Sequence, residues 1–378
     1  SGSASIGLGA IFLLFLLLLA GVPVVFSLMT AASVGIAVMK GDFLVAANSL
    51  GLVVNSAATS YVLAAVPFFI LMGLVVGKAN IGRDSLTVAH WLFRSVKGGF
   101  GVATVAANTV FAAITGISIA SAAIFSRVAA PPMIELGFTA RFSLGLIAGS
   151  SVLGMLIPPS LLLIIYGVIA EVSINKLFLA AIIPGIILAL MLCATVIICV
   201  FFRLPFAVTP EYSDVPPKPE KINTILLMMI PTLTLLLVVI GGIYGGIFTP
   251  TEAGAVGALM AIFIALAMKR VTFIQTYHLI KDAAGKTASI LLMVIAATSF
   301  GLMITLSGLP DIMSSIASGS GLGLTGYVLI YLVALVLLGM VLDSTSILLI
   351  MVPLAMPTVL DLGGDLVWFG IITVIGVE

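Results

Sequence analysis

The sequence predicts an all-α polytopic membrane protein, and three observations carry that prediction. Of the 378 residues, 62% are hydrophobic and only 8% charged, where a soluble domain carries about 25% charged side chains. Mean hydropathy is +1.38, and several apolar runs reach about 18 residues or more, enough for a helix to cross a hydrocarbon core. None of these runs has the ten-residue alternation of a lipid-facing strand, so a β-barrel is not expected. Helices remain, because a helix satisfies its own backbone hydrogen bonds inside lipid.

The first element, Ile6 to Met39, is an apolar stretch of about 34 residues, or about 51 Å as one helix, against a core of about 30 Å. It must tilt or break, and Gly21-Val-Pro23 is the natural break; one bent helix and two short ones both fit. Further spans are expected at Tyr61 to Gly77, Gly98 to Phe125, Ser143 to Ala170, Leu177 to Phe202, Ile225 to Phe248 and Ala253 to Met268. Thr287 to Leu306, Leu324 to Leu342, Ser344 to Leu360 and Leu366 to the end complete the series. The N-terminal Ser1-Gly-Ser-Ala-Ser5 reads as a linker, and with no basic n-region or A-x-A site after it no removable signal peptide is expected.

The polar pieces between the spans carry orientation. Lys78, Arg83, Arg94 and Lys97 share one connection, Arg203, Lys218 and Lys221 a second, and Lys269, Arg270, Lys281 and Lys286 a third. The positive-inside rule makes all three cytoplasmic. The Pro-rich stretch Leu204 to Lys221 is the only long polar linker and divides the chain near its middle. After the basic connection at 78–97 the chain enters the membrane, yet the next polar piece again carries Arg127 and Arg141. The segment around Thr115 to Ser121 therefore reads as the tip of a re-entrant hairpin. Ser307 to Gly323 and Asp361 to Asp365 carry acid without Lys or Arg, so Leu324 to Leu360 reads as a second hairpin entering from outside, with its tip at Asp343 to Ser346. Two hairpins of opposite orientation are what inverted repeats predict. Ser118 to Pro131 and Ser344 to Pro357 share one spacing, a weak echo of the same symmetry.

Four places could carry chemistry. Thr115, Ser118 and Ser121 surround the flexible Gly116 inside apolar sequence. Such a cluster offers hydroxyl and freed carbonyl oxygens to a partly dehydrated Na⁺, or else its hydroxyls back-bond to helix carbonyls and let helices pack closely. In Gly149 to Ser160, Pro158 and Pro159 remove two adjacent donors and must interrupt the helix. A broken helix of this kind exposes carbonyls to cations and a positive helix start to anions, or it is a kink and nothing more. Asp343, followed by Ser344, Thr345 and Ser346, is either an intramembrane functional carboxylate or a solvated turn and N-cap. Glu252 fits the first turn of a helix that Thr249 caps.

Other chemistry finds little footing. Net charge is +1 with no block of like charge, so no nucleic-acid partner is expected. His90 and His278 lie far apart without an H-E-x-x-H or a Cys cluster, and no G-x-x-x-x-G-K-[ST] is present, which leaves no ligand set for a transition metal and no nucleotide-driven pump within the chain. Cys193 and Cys199, six positions apart in one helix, turn to different faces and read as packing residues.

With these features in order, the sequence resembles the large membrane subunit of TRAP (tripartite ATP-independent periplasmic) transporters, the DctM-like and SiaM-like permeases, over nearly its whole length. The resemblance rests on Val66-Pro-Phe-Phe-Ile-Leu-Met-Gly73, Leu156-Ile-Pro-Pro-Ser160, Ile165-Tyr-Gly-Val-Ile169, Lys176-Leu-Phe-Leu-Ala180 with Ile183-Pro-Gly185, Gly246-Ile-Phe-Thr-Pro-Thr-Glu252 and Gly339-Met-Val-Leu-Asp-Ser344. It implies a Na⁺-coupled importer of organic acids such as sialic acid or a C4-dicarboxylate in a bacterial inner membrane. It also implies two partners, a small four-helix membrane subunit and a periplasmic substrate-binding protein. The implied fold is an elevator similar to that of the divalent-anion/Na⁺ symporters. Its scaffold helices would lie at 1–97 and 224–286, with a cytoplasmic linker at 204–223. A first transport repeat would occupy 98–203, with a hairpin at about 100–140 and a broken helix at 143–170. A second would occupy 287–378, with a hairpin at about 324–360.

Carried over by position, the resemblance gives Na⁺ sites using Thr115, Gly116, Ser118, Gly154, Ile157, Pro158, Asp343 and Thr345. Substrate would lie near Thr115, Ser160, Asp343 and Ser344. The tip Thr115-Gly-Ile-Ser-Ile119 is poorer in Gly and Ser than the family's usual tip, so Ile117 can contribute only backbone. A family member would also continue past Glu378 into another broken helix with its own Pro-Pro motif. A carboxylate/Na⁺ symporter that needs no binding protein is the nearest alternative, and an ion channel a more distant one.

Overall fold

The computed structural model describes residues 2–213, 222–319, 323–340 and 342–378. Its helices, in chain order, are α1 (Gly2–Leu19), α2 (Val24–Lys40), α3 (Phe43–Ala58), α4 (Ala65–Lys78), α5 (Ile81–Leu92), α6 (Gly99–Thr115) and α7 (Ser118–Val128). The short α8 (Ala130–Glu135) leads into α9 (Ala140–Leu156), α10 (Leu161–Ile169) and α11 (Ile174–Phe201). Then come α12 (Ile222–Leu236), a π-helical segment at Leu237–Gly241, α13 (Gly242–Tyr244), α14 (Pro250–Ala267) and α15 (Phe273–Ser307). The last are α16 (Leu309–Gly319), α17 (Gly323–Gly339), α18 (Ser344–Asp361) and α19 (Leu366–Val377). No strand occurs among the described residues, only an isolated bridge between Phe138 and Val208. Among the described residues six helical spans are long and apolar enough to cross a membrane, seven if α9 and α10 count as one broken span.

The chain folds as two compact units. One comprises Ser1–Leu63, Leu162–Leu177 and Thr287–Glu378. In it the ambiguity at Gly21-Val-Pro23 resolves into two helices packed on one another, because Gly21 takes φ 81°, where glycine alone is unstrained, and Pro23 starts α2 without an N–H to satisfy. The helices α17 and α18 run antiparallel: Gly339 faces Ile347 near the turn, and Leu324 meets Gly364 at the other end. Beside them the Tyr166 hydroxyl donates to the Leu366 carbonyl at 2.6 Å, and Tyr331 pairs with Thr373 at 3.1 Å.

The other unit comprises Ala64–Leu161 and Phe178–Lys286. Here α6 and α7 fold back on each other across Gly116-Ile117, with Phe111 and Phe125 ring to ring at 5.7 Å, and α9 packs along both arms. Thr249 and Glu252 form the expected capping box at the start of α14: Glu252 N–H donates to the Thr249 hydroxyl, and Thr249 N–H to the Glu252 carboxylate.

Several connections expected from the sequence as plain loops are helical. The apolar α3 is interrupted by Asn48, Ser49, Asn55 and Ser56, and α5 is amphipathic, so neither reads as a continuous apolar run. Residues 269–286 do not form a separate polar connection: from Phe273 they are the first half of α15, capped by Thr272 and Gln275. Ser307 to Gly323 contains α16. The linker's first half, Leu204 to Ser213, is bound to the loop before α9 through Thr139 N–H to Ala207 O and Thr209 N–H to Gly137 O. Its remainder, with Pro216, Pro217, Lys218, Pro219 and Lys221, lies outside the described residues.

Arg270, read from sequence as an orientation marker, does structural work at the end of α14. Its guanidinium donates to the buried Asp84 carboxylate of α5 at 2.5 Å and to the Ala79 carbonyl at 3.0 Å. Asp84→Ala strands that cation, and the expected loss is about 2 kcal/mol, less than the roughly 3–5 of a fully buried pair because the Arg270 side chain keeps 28% exposure. Thermal unfolding in detergent reads it out; an unchanged midpoint would show the pair to be idle.

Candidate functional site

The last turn of α6 and the last turn of α9 come together in the second unit. Gly154 is the point of closest approach: a Cβ there would stand 2.6 Å from Ala112 Cβ and 3.1 Å from Ala112 O. One turn on, Gly116 takes φ 64° and ends α6, and a Cβ on it would meet Pro159 O at 3.0 Å. The Gly116 carbonyl accepts from Leu161 N–H at 3.4 Å, which ties the hairpin tip to the far side of the break in α9. Gly73 of α4 lets that helix close over Thr115, its virtual Cβ lying 3.0 Å from Thr115 O.

The breaks leave carbonyl oxygens without donors. In a helix the carbonyl of residue i is served by the N–H of residue i+4. For Gly154 and Met155 those residues are Pro158 and Pro159, which have none. Ser160 partly repairs the loss, its hydroxyl donating to Met155 O, so Ser160 is occupied as a backbone cap. Gly154 O gets no such repair. In α6 the Ala112 carbonyl accepts Gly116 N–H at 2.7 Å and the Thr115 hydroxyl at 3.3 Å, while Gly116 turns the chain before Ala113, Ile114 and Thr115 can be served in the same way. Two helix C-termini, each the negative end of a dipole, thus meet where their last carbonyls lack an intrahelical donor, and such ends attract a cation. Ile157 is extended at φ −76° and ψ 124° with its side chain against Gly185, so it too offers only backbone.

Of the residues singled out from sequence, Thr115, Gly116, Gly154, Ile157, Pro158 and Ser160 lie together at this junction. Ser118 opens the returning arm α7, two residues beyond Gly116. Asp343, Ser344 and Thr345 belong to the other unit. There Asp343 is the N-cap of α18, accepting Ser346 N–H at 3.1 Å and the Ser346 hydroxyl. Ser344 opens α18 just as Ser118 opens α7. Among the described residues no group of three His, Cys, Asp or Glu side chains could hold a metal ion, and the oxygens at the α6–α9 junction are neutral.

One residue escaped the sequence reading. Asn108, fully buried in α6, donates to Ile147 O at 3.1 Å, Ser150 Oγ at 2.7 Å and Ser151 Oγ at 2.9 Å, all on α9, and accepts from the Ser121 hydroxyl on α7. It pins both hairpin arms to the broken helix about two turns from the tip. The only signal was a lone carboxamide in apolar sequence, which names no partner.

Comparison with known proteins gives the family. The family model for the tripartite ATP-independent periplasmic transporter, DctM component, matches residues 11–378. The C4-dicarboxylate TRAP transporter large permease protein of Pseudomonas aeruginosa is 31% identical over 88% of this chain and 76% of its own length. The sialic acid large permease of Vibrio cholerae is 31% identical over 97% and 84%, and the ectoine large permease of Halomonas elongata 31% over 94% and 82%. A family match over nearly the whole chain, with relatives at 31% identity, places this chain in the DctM family of TRAP transporter permeases, a membrane transporter and not an enzyme.

Proposed function

We propose that the chain is the translocating subunit of a Na⁺-coupled importer of an organic acid in a bacterial inner membrane. It takes substrate from a periplasmic binding protein and stands beside a small four-helix membrane subunit. The observation that carries the Na⁺ reading is the meeting of two carbonyl-bearing helix ends at Gly116 and Gly154, a cradle of neutral hard oxygens suited to a small monovalent cation. Thr115, Gly116, Ser118, Gly154, Ile157 and Pro158 are the proposed Na⁺ residues there, with Asp343 and Thr345 serving a second ion and Ser160 and Ser344 standing near substrate. The relatives are named for a dicarboxylate, sialic acid and ectoine at the same 31% identity, so overall identity selects none of them.

Coupling in this reading is mutual: the cation fixes the tip, and the fixed tip lets an anion bind without an unpaired charge in lipid. Inverted repeats and an elevator motion complete the proposal. Uptake of the acid into proteoliposomes is expected to require both an inward Na⁺ gradient and the loaded binding protein. Undiminished uptake after removal of either would sink the corresponding half of the proposal.

A further inference from the structure

A crevice of about 590 Å³ opens where α9 leaves its N-terminal loop and runs beside the last turns of α11. Arg141, Thr139 and Phe206 stand at its mouth, and Phe142, Gly145 and Leu192 wall it. Gly145 borders open space: a Cβ there meets nothing within 4 Å. The surrounding surface is apolar and exposed, with Leu144 at 50%, Met191 at 59% and Ile198 at 52% exposure.

The polar groups at the mouth differ in what they have left to offer. The Thr139 hydroxyl is spent, donating to Phe206 O at 2.6 Å and accepting Phe142 N–H at 3.2 Å. The Thr195 hydroxyl donates to Met191 O. Arg141 has neither an ion pair nor a hydrogen bond among the described residues. It lies in the first turn of α9, whose dipole adds to its positive field, and its fork of donors matches the oxygens of a phosphate. An acyl chain gains little by leaving the bilayer for an apolar crevice, since lipid tails are as apolar as leucine. Headgroup charge therefore decides which lipid stays.

We infer that this crevice holds one anionic phospholipid of the cytoplasmic leaflet, its phosphate on Arg141 and an acyl chain along Gly145 and Leu192. The site is independent of which ion or acid the chain carries. The test is native mass spectrometry of the delipidated full chain in detergent, titrated with phosphatidylglycerol, with phosphatidylcholine, and with glycerol 3-phosphate as a soluble competitor. One phosphatidylglycerol is expected to be retained, preferred over phosphatidylcholine by about fivefold, the effect of one arginine near a membrane surface. Arg141→Gln should equalise the two lipids, and Gly145→Leu, whose Cβ meets nothing within 4 Å and whose side chain takes the place of the acyl chain, should remove both. Glycerol 3-phosphate should displace neither. The inference is overturned if the wild type shows no preference, if R141Q keeps it, if G145L still retains lipid, or if glycerol 3-phosphate competes and so marks a site for soluble anions.

Discussion

Replacing Asn108 with leucine is expected to lower unfolding stability by about 3 kcal/mol and to reduce transport of whatever protein remains folded. The Asn108 carboxamide meets three acceptors on α9 and one donor on α7. Ser150 and Ser151 still reach Ile147 O when it is gone, at 3.2 Å and 2.7 Å, so they are not orphaned. The Ser121 hydroxyl is, in a site with no exposure, and an unsatisfied buried hydroxyl costs about 1–3 kcal/mol beyond the lost bonds themselves. A double-mutant cycle separates a network from simple space-filling. Asn108→Ala and Ser121→Ala should be non-additive by about 1 kcal/mol in denaturant unfolding. Strict additivity would mean that the carboxamide fills volume and organises nothing.

The second large effect is expected at Gly154. Alanine there places a methyl 2.6 Å from Ala112 Cβ and 3.1 Å from Ala112 O, contacts with backbone and a short side chain that no rotamer change relieves. The hairpin must move off the broken helix by several tenths of an ångström, and the carbonyls of the junction move with it. Gly154→Ala should therefore raise the Na⁺ concentration for half-maximal uptake at least tenfold, about 1.4 kcal/mol of lost ion binding, while leaving expression intact. Gly149→Ala, on the same helix, meets only Leu192 Cδ2 at 3.9 Å and should be silent or slightly stabilising. Equal Na⁺ dependence in the two variants would remove the junction from the coupling mechanism.

The breaks were legible in the sequence because their cause is local. Two adjacent prolines cannot continue a helix wherever they are placed, and Gly116 among hydroxyl residues marks a turn in the same way. The capping box at Thr249 and Glu252 could be read for the same reason: its partners are three residues apart. What could not be read depends on partners distant in sequence. Asn108 meets residues on α9 about 40 positions away, and Arg270 finds Asp84 across 186 positions. The N-cap at Asp343 was legible in the same way as the capping box, since Ser346 lies three residues on. Hydropathy overlooked α5 and the first half of α15, since a helix with a polar face averages to a loop.

The second helix bears on the bilayer itself. At 17 residues, α2 is about 26 Å long, shorter than a hydrocarbon slab of about 30 Å. Along α2, Phe26, Val34 and Val38 are 58%, 44% and 58% exposed, so its outer flank is apolar. Acyl tails along this flank have to compress to match it, at a fraction of a kilocalorie per ångström. The permease thus carries its own dimple, and membranes of shorter-chain lipids should accommodate it with the least deformation.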